Sequence, residues 1–289
     1  MQNLRRLILF FAAIFAATSA HAGGLRITTW NLHWFPSGIA NRRNLDHEQT
    51  RIAAAAEVIR KLDPDILVLQ EVRDEVAAGA LLNAVAQGAY HIAIVSRFRE
   101  GGGIGWQQLV IAAKRPAAVA FAEPWKGANR VDPPRGFVYA EFDWDGRGIS
   151  VYGVHLKSNL VRGGGERERQ LNILKRELAA DQLLTHTKDM ALRIKGGAAI
   201  VIVAGDFNTT PDSAQFASEG TLSKFSRAGF DNPLLGLPAS ERATIRGGSG
   251  YSPATFDFVL VRGTAVEGVF RTESSVSDHM PVTLIVRQE

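Results

Sequence analysis

The 289-residue chain contains no cysteine, which excludes a disulfide framework, a thiol nucleophile and a zinc–thiolate centre and leaves an apolar core to hold the fold. It also lacks a strong charge imbalance. Lys and Arg number 33 against 29 Asp and Glu, a formal net charge of +4, so the sum argues only weakly for a polyanionic partner and local placement of charge matters more. Beyond the first residues there is no long uninterrupted apolar run. Residues 1–22 carry Arg5-Arg6, the apolar run Leu7 to Ala17 and the small-x-small site Ala20-His21-Ala22. That run is too short to span a bilayer comfortably, so the segment reads as a removed secretory signal and not as an anchor. The mature chain is expected to start near Gly23, to be periplasmic or secreted with no stable membrane anchor, and to carry +2 once Arg5 and Arg6 are gone. No repeat, linker-like stretch or sign of disorder divides residues 23–289, so one domain is expected.

What is present is a hydrophobic fraction of 46% arranged in strand and helix patterns. Ala198 to Ala204 is a Val- and Ile-rich run bounded by Gly196-Gly197 and Gly205, the pattern of a strand buried on both faces, and it delivers Asp206 and Asn208 at its exit. Leu25 to Trp34 alternates as a strand with Asn31 towards its end. Asp46-His47-Glu48-Gln49 resembles a capping box opening a helix with Ile52, Ala55, Ala56, Ile59 and Leu62 on one face, stopped at Asp63-Pro64. Asp65 to Glu71 is again an apolar strand. A helix is expected over Val76 to Gln87, a strand over Ala89 to Ser96, a mobile loop over Arg97 to Gly105, and a strand over Leu109 to Ala113. Gly136 to Trp144 and Ile149 to Leu156 read as a hairpin joined at Asp145-Gly146-Arg147-Gly148, with His155 near its end. A long helix from Glu166 to about Lys188 would bury Leu171, Leu174 and Leu178. Strands at Thr255 to Val261 and Pro281 to Val286 close the chain. Helices interspersed with strands and hairpins predict an α/β domain with sheets packed on each other inside helical layers.

Asn31, Glu71, His155, Asp206, Asn208, Asp257, Asp278 and His279 all fall at or beside strand ends, which gather at one rim in such folds. Singly, each has a bland explanation: an Asx turn, a helix cap, a hydrogen-bonded core histidine. Together they place four carboxylates at one spot, which would repel unless a divalent cation compensated them. A carboxylate and carboxamide donor set suits Mg²⁺, Mn²⁺ or Ca²⁺ better than zinc. Two histidines then remain for proton transfer.

Thr29-Trp30-Asn31, Leu69-Gln70-Glu71, Val154-His155, Gly205-Asp206-Phe207-Asn208, Phe256-Asp257 and Ser277-Asp278-His279-Met280-Pro281-Val282 resemble, in order, the motifs of the endonuclease/exonuclease/phosphatase superfamily, which includes deoxyribonuclease-I-like nucleases. The resemblance covers essentially all of residues 23–289. It implies a four-layer α/β sandwich, two packed mixed β-sheets flanked by helices, and divalent-metal-dependent phosphoester hydrolysis. By the same resemblance Glu71 is the principal metal ligand, with Asn31 beside it and Asp278 nearby, and His279, held by Asp257, is the base that activates water. Asp206 and Asn208 would position water and phosphate oxygen, and His155 would contact the phosphate or assist the leaving oxygen. Arg73, in Glu71-Val72-Arg73-Asp74, resembles an arginine that approaches nucleic acid, and Arg135 a phosphate-binding arginine. One departure is that Gln107 stands where a carboxylate partner of His155 would be aligned.

The expected function is therefore an exported phosphodiesterase with nucleic acid as substrate, acting as a monomer. A sphingomyelinase-like lipid phosphodiesterase is the alternative, with Trp34-Phe35 and Trp106 as its only apolar candidates for a bilayer, and a non-catalytic binding protein on the same scaffold comes last. Arg42, Arg43, Arg97, Arg99 and Arg162 are further cations in loops or strand ends that a polyanion would meet. Intact-mass measurement on exported protein is expected to read a start at or near Gly23; residues 1–22 retained in a membrane fraction would make the leader an anchor.

Overall fold

The computed structural model describes residues 24–39, 42–100, 103–193, 200–248 and 252–287, so the expected leader and cleavage site lie outside the described residues. In chain order these form β1 (Leu25–Phe35), α1 (Leu45–Leu62), β2 (Ile66–Val72), α2 (Glu75–Val85), β3 (His91–Val95), β4 (Arg99–Glu100), β5 (Gly103–Ile104), β6 (Gln108–Ala113), β7 (Val119–Pro124), β8 (Gly136–Trp144), β9 (Arg147–His155), α3 (Gly165–Arg193), β10 (Ile200–Asp206), α4 (Thr221–Arg227), α5 (Ala239–Arg242), β11 (Asp257–Arg262), β12 (Val266–Arg271) and β13 (Val282–Val286). One sheet has the order β12-β13-β1-β2-β6-β3 and the other β11-β10-β9-β8-β7. Each is mixed: β1 runs parallel to β2 and β9 parallel to β10, with antiparallel neighbours outside them.

Period-two alternation explains the layers. In β2, Ile66 and Val68 face the partner sheet while Leu67 and Leu69 face outwards, and in β6 Leu109 and Ile111 face inwards against Val110 and Ala112 outwards. Because both faces are covered, these strands are apolar throughout. The outer face of the first sheet is closed by Ala55, Ala56 and Ile59 of α1 and Ala77, Ala78 and Leu81 of α2. Ala179, Ala180, Leu183 and Leu184 of α3 join the core on the side of the second sheet. The result is the expected four-layer α/β sandwich.

Several local expectations are corrected. The first helix is entered through a 3₁₀ turn at Arg42–Asn44, with Asn44 at its N-cap and no side-chain cap bond, so Asp46 sits inside the first turn and complements the helix dipole without capping. Residues 97–105 are not simply a loop but hold the small β4–β5 hairpin, although Gly101 and Gly102 lie outside the described residues. β7 and β12 are edge strands with half-exposed faces, which removes the apolar signal that marks the central ones. On α3 the buried stripe is not the leucine one: Leu171 and Leu174 are exposed, and Asn172, Ile173, Arg176, Ala179, Ala180 and Leu183 are buried. Arg176 tolerates burial because Glu219 takes its Nε and Nη2 at 2.8 and 2.6 Å.

The two sheets approach closely at Gly153 of β9, where a β-carbon would stand 2.7 Å from Val138 Cγ2 and 2.9 Å from Val68 Cγ1. Gly153→Ala is therefore expected to wedge the sandwich and cost about 1–3 kcal/mol, the usual penalty of overpacking. Urea unfolding checks this, and an unchanged midpoint would mean the sheets yield at that point.

Candidate active site

Both parallel strand pairs release their chains at the same end of the sandwich. In the first pair Asn31 lies opposite Gln70 beside Glu71, and in the second Asp206 lies opposite His155. Strand β11 runs back from Asp257, paired with Asp206, and β13 begins just after Asp278-His279. Ser277 ties that last segment down, donating to the Asn31 carbonyl at 2.8 Å, while Trp30 Nε1 donates to the His279 carbonyl at 3.0 Å.

Asn31 is fully buried, and its amide Nδ2 donates to Glu71 Oε1 at 3.3 Å and to Asp206 Oδ2 at 3.1 Å. Its own oxygen accepts from the His33 N–H at 3.0 Å. Glu71 Oε2 accepts from the Trp34 N–H at 2.9 Å. These contacts come from an irregular backbone: His33, Trp34, Glu71 and Asn208 all have φ between 49° and 59°, a left-handed conformation that non-glycine residues adopt at a cost and that clusters at functional sites. Asp206 Oδ1 accepts from Asn208 N at 2.8 Å, and Asn208 Nδ2 donates to the Leu156 carbonyl at 3.3 Å. His279 Nδ1 and Asp257 Oδ2 share a hydrogen bond of 2.8 Å. Both imidazoles turn Nε2 towards Asp206 Oδ2, His155 at 3.5 Å and His279 at 3.8 Å, and His155 Nε2 is also 3.8 Å from Glu71 Oε1.

This geometry drives the two histidines apart. Burial opposes the charged form of His279, yet the carboxylates of Asp257 and Asp206 and the Asp257 hydrogen bond overcome it and hold it up at about 10. Burial pushes His155 well below its ordinary value, and the charges of Arg135 and His279 push it further, so it is neutral. Asp206 is raised to about 7 by burial and by Asp257, against the opposing pull of His279. Asp278 goes the other way: despite burial, a hydrogen bond with His33 at 2.8 Å and the charges of His279 and His33 hold it near 2.

Eight sequence-predicted residues, Asn31, Glu71, His155, Asp206, Asn208, Asp257, Asp278 and His279, thus lie at one rim. Arg135 reaches it too, with Nε and Nη2 donating to the His155 carbonyl at 3.3 and 3.1 Å and Nη2 to the Leu156 carbonyl at 3.1 Å. Arg73 does not join them. It is buried against Glu48 of α1 at 2.6 Å and Asp74 at 3.0 Å, a structural ion pair that occupies the guanidinium expected to meet nucleic acid. Gln107 stands 3.5 Å from Arg135 Nη1, and His155 Nδ1 is buried without a hydrogen-bond partner. His33 was not anticipated; its place two residues after Asn31, at the exit of the same strand, was the available signal.

The sequence model of the Endonuclease/Exonuclease/phosphatase family matches residues 28–279. The chain belongs to that family. Its members are typically metal-dependent hydrolases, and the chain has their phosphoesterase fold. No curated protein sequence matches it. Among solved structures it is similar to a family protein from Leptotrichia buccalis C-1013-b, at 16% identity over 92% of this chain and 100% of the other, TM-score 0.65. A family protein from Beutenbergia cavernae DSM 12333 gives 18%, 92%, 72% and 0.63, and TDP2 from C. elegans gives 18%, 92%, 75% and 0.63 in the same order. At these identities the likeness is one of fold.

The donor set fits a divalent cation. Asp206, Asp257 and His279 are buried with ligand atoms within 4.8 Å of one another. Asp257 Oδ1 is buried without a partner, and burial together with the Asp257 carboxylate holds Asp206 up at about 7 despite the opposing charge of His279. Glu71 and Asp278 add further carboxylates at the same rim, and an oxygen-rich set of this kind suits a hard cation.

Unfolded, Asp206 ionises at the ordinary 3.8; folded and cation-free it does so at about 7. Its effect is therefore absent below the first value, and its destabilisation grows up to the second. His279 adds a stabilisation that is full below 6.5 and lost once pH passes about 10. Both trends weaken the cation-free fold between pH 5 and pH 8. A divalent cation at the rim would favour the ionised form of Asp206, so Mg²⁺ is expected to raise Tm more at pH 8 than at pH 5, read by thermal unfolding with and without chelator. Equal rises would place the cation elsewhere.

Proposed function

We propose that the chain is an exported, divalent-metal-dependent phosphodiesterase that hydrolyses nucleic acid. The observation that carries the chemistry is the 2.8 Å His279–Asp257 pair, whose free Nε2 faces a group of carboxylates. Glu71 and Asp278 would hold the cation, while Asn31 keeps Glu71 and Asp206 in register. When bound, a divalent cation neutralises charge developing on the phosphoryl group.

The residues of the chain do the rest. Asp257 fixes the His279 tautomer through Nδ1 and stabilises the imidazolium that forms. His279 in its neutral form takes the proton of the attacking water at Nε2, and the imidazolium that results is the form its neighbouring carboxylates favour. Water's oxygen bonds to phosphorus as the bond to the leaving oxygen breaks. Asp206 and Asn208 orient water and phosphate oxygen. His155, neutral and buried, supplies a hydrogen bond to the phosphate or the leaving oxygen, and Arg135 sits beneath it as a fixed positive charge. Export is supported by the leader of residues 1–22.

A lipid phosphodiesterase is the second reading, supported by the exposed Trp34, Ile104 and Trp106. Trp34 follows His33 in a segment tied to Glu71 by the Trp34 N–H, so its backbone serves the rim. Hydrolysis of DNA, RNA, sphingomyelin vesicles and small phosphodiesters with Mg²⁺ decides between them; action on the vesicles alone would establish the lipid reading. His279→Ala is expected to lower kcat by at least ~10² in folded protein, the scale of positioned proton transfer. Glu71→Ala should weaken metal dependence first. Near-normal turnover in His279→Ala would remove His279 as the base.

A further inference from the structure

Many cations of this chain have a carboxylate partner. Arg73 pairs with Glu48, Arg176 with Glu219, Arg242 with Asp212, Lys224 with Asp181, and Lys114 with Asp63 and Asp65. Lys157, Arg162 and Lys175 make no such ion pair among the described residues. They stand on one side of the rim: Lys157 lies two residues after His155, Arg162 follows in the same loop, and Lys175 is on the adjoining α3. They are close enough to act on each other. The Lys157 ammonium is pushed down by partial burial and then by the charges of Lys175, Arg135 and Arg162, with only Glu168 opposing.

The loop that carries them is held at four points. The Leu156 carbonyl accepts from Arg135 Nη2 and Asn208 Nδ2, the Lys157 carbonyl from Arg176 Nη1 at 2.9 Å, and the Leu160 carbonyl from Asn172 Nδ2 at 3.1 Å. Glu168 Oε2 accepts from the N–H groups of Arg162 and Gly164 at 2.8 and 2.9 Å. The otherwise unexplained burial of Arg176, clamped by Glu219, thereby fixes Lys157. Lys157 and Arg162 on this pinned loop, with Lys175 of α3 and Arg135 close enough to act on Lys157, form a preorganised surface for several anionic groups in series.

We propose that Arg135, Lys157, Arg162 and Lys175 form a track for phosphates that flank the scissile one in a nucleic-acid strand. This rests on the nuclease reading and narrows it: the substrate is a chain with several phosphodiesters on the α3 side of the cleavage point, and a diester with one phosphate uses only the Arg135 end. Bases are not read here, since contacts to the backbone position a strand without specifying sequence.

The test compares full-length wild type with an Arg162→Ala/Lys175→Ala double variant on a labelled oligonucleotide and on bis(p-nitrophenyl) phosphate. The ratio of kcat/KM on the oligonucleotide to that on the small diester is expected to fall at least tenfold, chiefly through KM. The log–log salt dependence of oligonucleotide binding should become shallower by about 0.7 for each phosphate contact removed on a single strand. Arg162→Lys/Lys175→Arg should restore the ratio. Wild type that cleaves nucleic acid with the ratio unchanged in the double variant would overturn the track alone. An unchanged ratio together with lost binding to phosphatidylglycerol vesicles would assign the surface to anionic membrane. Wild type that cleaves the small diester but neither DNA nor RNA would remove the nuclease reading and the track with it.

Discussion

The rim depends on one buried carboxamide. Asn31 gives both hydrogens of a single amide to carboxylates from two different sheets, Glu71 on its neighbour β2 and Asp206 on β10 across the sandwich. Those distances hold only if the sheets keep their spacing and register. Gly153 lets the sheets approach, and Gly205, at φ 148° with no room for a β-carbon beside the Val154 carbonyl, lets β10 lie against β9 immediately before Asp206. Core packing and site geometry are therefore one constraint, and a displacement of the size of a methyl group in the middle of the molecule is felt at its end.

The site also divides labour by environment more than by residue type. His155 and His279 both face Asp206, yet one is neutral and the other is held protonated. Asp257 behind His279 makes the difference, whereas Nδ1 of His155 has no acid behind it and Arg135 lies beneath its carbonyl. Two carboxylates diverge in the same way, Asp206 upwards through burial and Asp278 downwards through His33. Groups of one chemical kind pushed in opposite directions are what acid–base chemistry at a single centre requires.

Much of this was legible in the sequence because the site residues terminate strands, and strands buried on both faces announce themselves as apolar runs. Glu71 and Asp206 follow such runs directly, and His155 and His279 stand beside equally clear ones. What was not legible depends on partners distant in sequence. Arg73 was expected to approach nucleic acid, and its pairing with Glu48 of α1 has no signal in its own segment. The buried face of α3 was misread because alanines and a paired arginine fill it while the leucines at helical spacing face outwards. β7 and β12 were missed because an edge strand with one half-exposed face loses the continuous apolar signal that identifies its neighbours.

The left-handed backbone at His33, Trp34, Glu71 and Asn208 has a consequence for engineering. Such positions favour glycine or asparagine on conformational grounds alone, so a campaign that ranks substitutions by thermostability would be drawn to three of these four and would strip the rim of the side chains that define it. Asn208 is the exception, since its residue type already suits its conformation. Selection for robustness and selection for turnover would pull on the same few residues in opposite directions, and a screen on this scaffold would need to hold them fixed while it searched elsewhere.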